Sequence, residues 1–520
     1  MLSSKISIND PSVLKKKILA FKVTLQEKDD QIQNLESENS RLNEIINLLR
    51  NKQYAQKSEA LKSDQLGLFN EAEAIEAEEG ENSRLLEVKS YRRGQPKRKP
   101  LPDHLPREEV VIELEEKDRK CNEGHKLKEI GEETSEQLDI VPAKIKVIKT
   151  IRKKYACPKC EDTVKTAPLP PAPIPKSMAT AGLLSFILIC KYVDGLPLYR
   201  VVEILKRSGV TISRGTMASW MIKVGQLLQP IWNLLEEKLL ESSYLSCDET
   251  RVQVLKEEGK KATSLSYMWV RCRSGPNIKP IILYDYAPSR SGKVATELLS
   301  GFKGYLQVDG YGGYNEVCAQ EDILRVGCWA HVRRKFYEAF KASKKGQGKA
   351  KEVLLLIKTL YQVESECQKK KALERYEYRQ AKAKPILDGI RQWLDENKDS
   401  VPPKSLLGEA MGYLDKEWPH LIRYLEDGRI QIDNNHVENA IRPFAIGRKN
   451  WLFSDTVGGA ESSAVIYSLV QTARANGQDL YSYFNHILQE IPKAKQVEAF
   501  EALLPYKVNL KAIALEDPLK

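Results

Sequence analysis

From Leu14 to Leu49, positions 14, 18, 21, 25, 28, 32, 35, 39, 42, 46 and 49 alternate by four and three, and nine of these eleven are apolar. That is a heptad seam and predicts an N-terminal coiled coil over residues 1–60. The exceptions are Lys28 at a d position and Asn39 at an a position; a buried Asn at a favours a parallel dimer in one register. An amphipathic helix lying on its own domain is the plainer alternative. The next regular pattern, DIVPAKIKVIKTIRKKYA at 139–156, alternates apolar and polar residues as half-buried strands do. It predicts a small β-rich domain within 106–167.

The run from Met178 to Cys190, closed by Lys191, is too short to span a bilayer and reads as a buried helix. LPLYRVVEILKRSG and VTISRGTMASWMIKVG follow as two helical patterns joined at Ser208-Gly209, giving residues 181–240 the form of a helix-turn-helix. In that form Arg214 and Thr216 face DNA from the start of the second helix, although any αα-hairpin shows the same pattern. From Ser243 the texture changes to short apolar strands: YLSCDETRVQVL, SYMWVRC, KPIILYDYA, a helical SGKVATELLSGF, then GYLQVDGYGGYN and ILRVGCWAH. Three strands, a helix and two more strands is the order of an α/β ribonuclease H-like core, here 241–345 and 429–490. A charged helical insertion at 346–428 interrupts it, and 491–520 is a C-terminal tail.

Composition adds the connecting pieces. An acid-rich stretch around Glu71, Glu73, Glu76, Glu78, Glu79 and Glu81 gives way to KSYRRGQPKRKP, so 61–105 reads as a charged linker whose basic run suits phosphates or plain solvation. PLPPAPIPK marks a second linker, 168–180. The formal charge of +11 over 520 residues suits a polyanionic partner without requiring one. The nine cysteines are an odd number, and only Cys157 and Cys160 sit close together, which excludes a disulfide framework and fits a reducing cytoplasm. The N-terminus carries no signal-peptide pattern, and no membrane association is expected.

Two constellations carry chemistry. Cys157 and Cys160 in CPKC place two thiolates on one face of a tetrahedral zinc ion, with Cys121 and His125 as the other ligand pair; a bare CPKC turn is the alternative. In the strand region, Asp248 follows YLSC and Asp309 follows YLQV, and charged residues in apolar strand runs are costly to bury unless paired or metal-bound. A turn beginning at Asp309-Gly310 and a solvated strand face at Asp248 are the bland accounts. The third acid, Glu438, lies in IDNNHVENAIRPFAIGRKNWLF, three residues after Asn435, a spacing that also fits a helix-capping pair. The helix it starts carries Arg442, Arg448, Lys449 and Trp451, a set suited to phosphates and a stacked base. Arg333, Arg334 and Lys335 follow the fifth strand and suit flanking phosphates, with His331 either among them or a structural imidazole.

SCDET around Asp248, VDGYGGYN around Asp309, CWAHVRRKF, DNNHVENAIRPFAIGRKNWLFSDTVGGAESSA around Glu438 and the distal SLVQTARANGQDLYSYF resemble the transposases of the insertion-sequence 66 group, whose chemistry is of the Asp-Asp-Glu type. The order of zipper-like start, zinc segment, catalytic core and small C-terminal piece is also similar to that family's. One departure is Gly124 and His125, where the family commonly has a second cysteine. The resemblance implies that Asp248, Asp309 and Glu438 bind two magnesium ions roughly 3.5–4 Å apart, with manganese able to substitute. It implies hydrolysis at the ends of an insertion sequence, then attack of the freed 3′-hydroxyl on target DNA. It further implies a structural zinc, a homodimer or higher oligomer, and accessory transposition proteins. A structure-selective nuclease with the same core, and a dimeric DNA-binding regulator with a decayed core, are the competing readings.

Overall fold

The computed structural model describes residues 11–54, 145–156, 164–273, 275, 278–342 and 348–510. The chain divides into two units, one of residues 1–76 with 169–520 and the other of 77–168. In the larger unit, α1 (Pro11–Tyr54) is a single helix of 44 residues. The smaller unit contains β1 (Lys154–Ala156) and β2 (Val164–Thr166), antiparallel with Lys154 opposite Thr166. Arg152 Nε donates to the Ala167 carbonyl at 2.6 Å and closes the hairpin base. Cys157 and Cys160 fall between these strands but, like Cys121 and His125, lie outside the described residues.

The larger unit continues with α2 (Ala181–Leu188), capped by Thr180, whose side chain accepts from Leu183 N. A π-helical turn, Ile189–Val193, follows directly. Next come α3 (Leu198–Arg207) and α4 (Arg214–Leu240), joined by a turn in which Gly209 takes φ +80°. Ser213 caps α4 by accepting from Thr216 N at 3.0 Å. Helix α4 buries Met217, Trp220, Met221, Val224, Leu228, Ile231 and Leu235, a three-and-four stripe that faces one core.

That core also covers the sheet. β3 (Tyr244–Lys256), β4 (Leu265–Arg273) and β5 (Ile281–Ala287) form an antiparallel meander. After α5 (Gly292–Leu298), β6 (Gly304–Gln307) pairs parallel to β3. Past α6 (Asn315–Cys318), β7 (Ile323–Val326) pairs parallel to β6, so the spatial order is β5-β4-β3-β6-β7. Residues Met268, Trp269, Val270, Arg271 and Cys272 of β4 are all buried, as expected of a central strand covered on both faces.

Four helices follow β7: α7 (Trp329–Ala342), α8 (Lys349–Cys367), α9 (Ala372–Asn397) and α10 (Leu406–Leu421). They share a second hydrophobic cluster built on Val326, Trp329, Phe336, Ile357, Ile390 and Leu414. Arg379 is fully buried there, bonded to Glu364 at 2.6 and 2.8 Å and to the carbonyls of Tyr424 and Ile430. It thus anchors the segment leading into α11 (Asn435–Trp451). β8 (Ser454–Thr456) pairs with the far end of β3; α12 (Val457–Ala475), α13 (Leu480–Glu490) and α14 (Val497–Ala502) complete the described chain. α1 packs against α7, and Arg41 reaches Glu409 of α10 at 3.2 Å.

Helix α12 is buried on nearly every side and does work that composition hides. β5 is an edge strand, and its free backbone groups need partners. Ser468 Oγ accepts from Tyr284 N at 2.7 Å, and Thr472 Oγ1 accepts from Ile282 N at 3.0 Å while donating to its carbonyl. Against α4 the approach is so close that a Cβ on Gly225 would lie 2.5 Å from Ser462 Cβ.

A buried ion cluster clamps the meander to its helices. Arg271, 0 % exposed, holds Asp285 with two bonds of 2.9 Å, Glu236 of α4 at 2.6 Å and the Leu298 carbonyl at 2.6 Å. Breaking one side of such a cluster leaves an uncompensated buried charge. We expect Arg271→Met to destabilise the fold by about 3–5 kcal/mol, read as a lower denaturant midpoint. An unchanged midpoint would show that Asp285 is solvated when its partner is removed.

Candidate active site

Strand pairing places the first two acids. β3 and β6 run in register from Tyr244 opposite Tyr305 to Ser246 opposite Gln307, an offset of 61 residues. Asp248 and Asp309 lie two residues beyond that last pair on their respective chains, at the same level of the sheet. Asp248 is inside β3, opposite Val270 of β4, and Asp309 comes two residues past the end of β6. Each accepts a local backbone N–H: Asp248 Oδ1 from Glu249 at 2.8 Å, Asp309 Oδ1 from Tyr311 at 3.0 Å. The turn expected at Asp309-Gly310 is therefore present. Gly310 is required by packing as well, since a Cβ there would meet the Tyr413 ring at 2.6 Å. Arg325 of β7 donates to the Asp309 carbonyl and to Glu417 of α10, both at 2.9 Å, and locks the turn to the sheet edge.

The N-terminus of α11 brings Glu438 within electrostatic reach of Asp248. Among the described residues, however, Glu438 groups to within 4.8 Å with Cys328 and His331 and not with the two aspartates. The helix is entered at Asn434, and Glu438 follows in the first turn. Asn435 instead bonds Asp433, which accepts from Asn435 N at 3.1 Å, from its Nδ2 at 2.9 Å and from Tyr361 OH at 2.9 Å. The capping pair suggested by the Asn435 and Glu438 spacing does not form, because Glu438 stands one position too far into the helix. Fully buried Asn434 donates through Nδ2 to the Cys247 carbonyl at 3.2 Å, tying α11 to the residue before Asp248. A second tie runs from Tyr244 OH to Gln307 at 2.5 Å and from Gln307 to the Gly327 and Gln431 carbonyls at 3.2 and 3.0 Å.

Electrostatics tie the acids together. Burial first, then Glu249, push the Asp248 carboxyl well above the ordinary carboxylate range; Asp309 and Glu438 add to this against the Glu249 N–H. A half-buried carboxyl crowded by like charges is an unbalanced arrangement that a hard divalent cation with oxygen ligands fits. Glu438 Oε1 lies 3.8 Å from His331 Nδ1 and its Oε2 lies 3.7 Å from Arg334. Burial, with Arg334 beside it, lowers the His331 pKa to about 4, so the imidazole is neutral at physiological pH.

The cationic candidates divide. Arg333 and Arg334 are half-buried in the first turns of α7, and exposed Lys335 sits 4.9 Å over the Tyr413 ring. Arg442 is half-buried, and Lys449 is exposed. Arg448 is committed locally, with Nη1 3.3 Å from Thr250 Oγ1, and burial lowers its pKa. The Trp451 ring, expected to stack on a base, stands edge-on to Phe444 at 5.4 Å within the hydrophobic cluster, because the last turn of α11 points it inward. Arg214 is exposed at the start of α4, while the opposite face of that helix belongs to the core.

Sequence reasoning passed over Glu249. Its carboxylate is held by Arg290 and by Tyr314 OH, and Arg290 lies 3.6 Å above the Tyr311 ring. The acid pair in SCDET was the available signal. Cys328 was likewise legible only as part of CWAH.

A carboxyl whose pKa is raised on folding binds its proton more tightly folded than unfolded. Without a cation the fold therefore loses stability as pH climbs from the ordinary carboxylate value through the raised one. Asp248→Asn should stabilise the cation-free protein at neutral pH by about 1–2 kcal/mol, seen as a higher melting temperature. A lower melting temperature would mean that the charge of Asp248 is compensated.

Comparison with known proteins agrees with the order of pieces. Residues 176–462 match "Transposase IS66 family", and 468–506 match "IS66 C-terminal element". Residues 118–161, which span Cys121, His125, Cys157 and Cys160, match "zinc-finger binding domain of transposase IS66", and 41–110 match "Transposase C of IS166 homeodomain". Two curated proteins of Sinorhizobium fredii are similar at length. Uncharacterized protein y4jD is 36% identical over 79% of this chain and 82% of its own length; uncharacterized protein y4qI is 35% identical over 91% and 89%. No solved structure matches. With one family match running from ahead of the sheet to beyond Glu438 and others on either side of it, the chain belongs to the IS66 transposase family.

Proposed function

We propose that the protein is a DNA transposase that cleaves the ends of an insertion sequence and transfers the 3′-hydroxyl ends into target DNA on a ribonuclease H-like core. The observation that carries this reading is the shared sheet level of Asp248 and Asp309, with Glu438 brought within electrostatic reach of Asp248. The strand order β5-β4-β3-β6-β7, with β6 and β7 parallel to β3, supports the core assignment.

In this reading Asp248, Asp309 and Glu438 hold two magnesium or manganese ions. When bound, such ions activate the attacking oxygen and stabilise the leaving oxygen at phosphorus. The protein's own groups do the rest. The Asn434, Gln307 and Arg325 bonds hold the segments that carry the three acids, Arg334 compensates Glu438, and neutral His331 offers a nitrogen at the edge of the site. Arg333, Lys335, Arg442 and Lys449 supply phosphate contacts that position DNA without reading bases. The zinc-finger segment adds a structural zinc and a second DNA contact.

The seam of α1 supports self-association. Ile18, Leu25, Ile32, Leu35, Leu42 and Ile46 are exposed, Leu35 by 70 %. A coiled coil with a second copy would cover them.

Asp248→Asn, Asp309→Asn and Glu438→Gln should each reduce cleavage more than about a hundredfold while leaving DNA binding largely intact. Wild-type cleavage by any one of them removes that residue from the site. Supplied with pre-cleaved ends, the wild type should join them to target DNA; persistent hydrolysis with no joining would favour a structure-selective nuclease instead. Deleting residues 1–55 should convert a dimer to a monomer or weaker assembly in light scattering, and a retained dimer of the shortened chain would place the dimer contact elsewhere.

A further inference from the structure

Glu438 has close neighbours other than Asp248 and Asp309. Cys328 immediately precedes α7, and His331 lies in that helix's first turn. Ligand atoms of Cys328, His331 and Glu438 all lie within 4.8 Å of one another. Cys328 is buried, and its Sγ accepts the Asn434 N–H at 3.2 Å. His331 Nδ1 is buried with no hydrogen-bond partner among the described residues. A packing role explains a buried cysteine. It does not explain a backbone donor aimed at the sulfur beside an imidazole nitrogen left facing a carboxylate.

We propose that Cys328, His331 and Glu438 form a binding site for a zinc-class cation, and that filling it withdraws Glu438 from Asp248 and Asp309. The withdrawal rests on the transposase reading; the site does not. Thiolate and imidazole select zinc or cobalt over magnesium, which takes oxygen ligands. With zinc bonds of about 2.0–2.3 Å, tetrahedral donors stand roughly 3.3–3.8 Å apart, so the set must contract by about 1 Å. Side-chain rotation of Glu438 and His331 covers that distance. On binding, the Cys328 S–H bond breaks, a sulfur–metal bond forms and the proton goes to solvent. The Asn434 N–H donor offsets part of the thiolate charge. Three protein ligands leave a fourth position for water. Because Glu438 serves both sets, zinc occupancy and the catalytic arrangement exclude each other, and the site would act as an inhibitory switch.

The test is a cobalt count on the metal-stripped full chain, read by difference because the zinc-finger segment also binds cobalt. The wild type should bind one more cobalt per chain than Cys328→Ser, and the difference spectrum should carry a thiolate-to-cobalt band. His331→Asn, at a half-buried position that tolerates substitution better, should weaken the extra site at least about tenfold. Equal counts in the wild type and both variants overturn the site. In magnesium, a stoichiometric excess of zinc should slow wild-type cleavage at least about tenfold and slow Cys328→Ser less, relative to its own zinc-free rate. An extra cobalt without zinc inhibition overturns the switch. An extra cobalt in a chain that cuts no DNA in magnesium leaves the site standing and removes the transposase reading.

Discussion

Concentrated negative charge at the end of β3 is the constraint around which the larger unit is arranged. Asp248 sits where burial and three neighbouring acids all oppose its ionisation. A fold selected for stability alone would place a neutral side chain there. The surrounding bonds do not neutralise Asp248; they keep other groups near it. Asn434 joins α11 to the Cys247 carbonyl, Arg325 holds the Asp309 turn, and Arg334 and His331 face Glu438. Charge of one sign, held in place and left partly uncompensated, suits the divalent cations of the proposed phosphoryl-transfer reading.

Two separate cores make that rigidity possible. The first packs α4 and α12 on the sheet, with α12 hydroxyls serving the free backbone of β5. The second packs α7 to α10 and, through Arg379, fixes the segment that delivers Glu438. The helical insertion is thus more than a charged decoration: it buries its own apolar stripe and supplies Glu417, Tyr413 and Glu364 as struts behind the acids.

Much of this was readable in the sequence. The five strands of the core fall where the apolar runs predict, and the 61-residue spacing of Asp248 and Asp309 is the register offset of β3 and β6 itself. Local pattern also separated α3 and α4 correctly at Ser208-Gly209. Long-range consequences were less legible. Nothing local distinguishes a helix-turn-helix from another αα-hairpin; α4 buries one face in the core and leaves Arg214 and Thr216 exposed at its start. The fate of Trp451 depended on which face α11 turns inward, and the Asn435 and Glu438 spacing failed as a cap because the helix starts one residue earlier than the motif needs. Glu249 and Cys328 escaped notice because their partners, Arg290, Tyr314 and the Asn434 N–H, come from distant segments.

The central claim is that Asp248, Asp309 and Glu438 share bound divalent cations, and it is tested most directly by a crystal structure of the full chain soaked in manganese and measured at an anomalous wavelength. Manganese peaks flanked by oxygens of Asp248, Asp309 and Glu438 are the predicted result. Absence of manganese between Asp248 and Asp309, with Glu438 still turned toward His331 and Cys328, would contradict it.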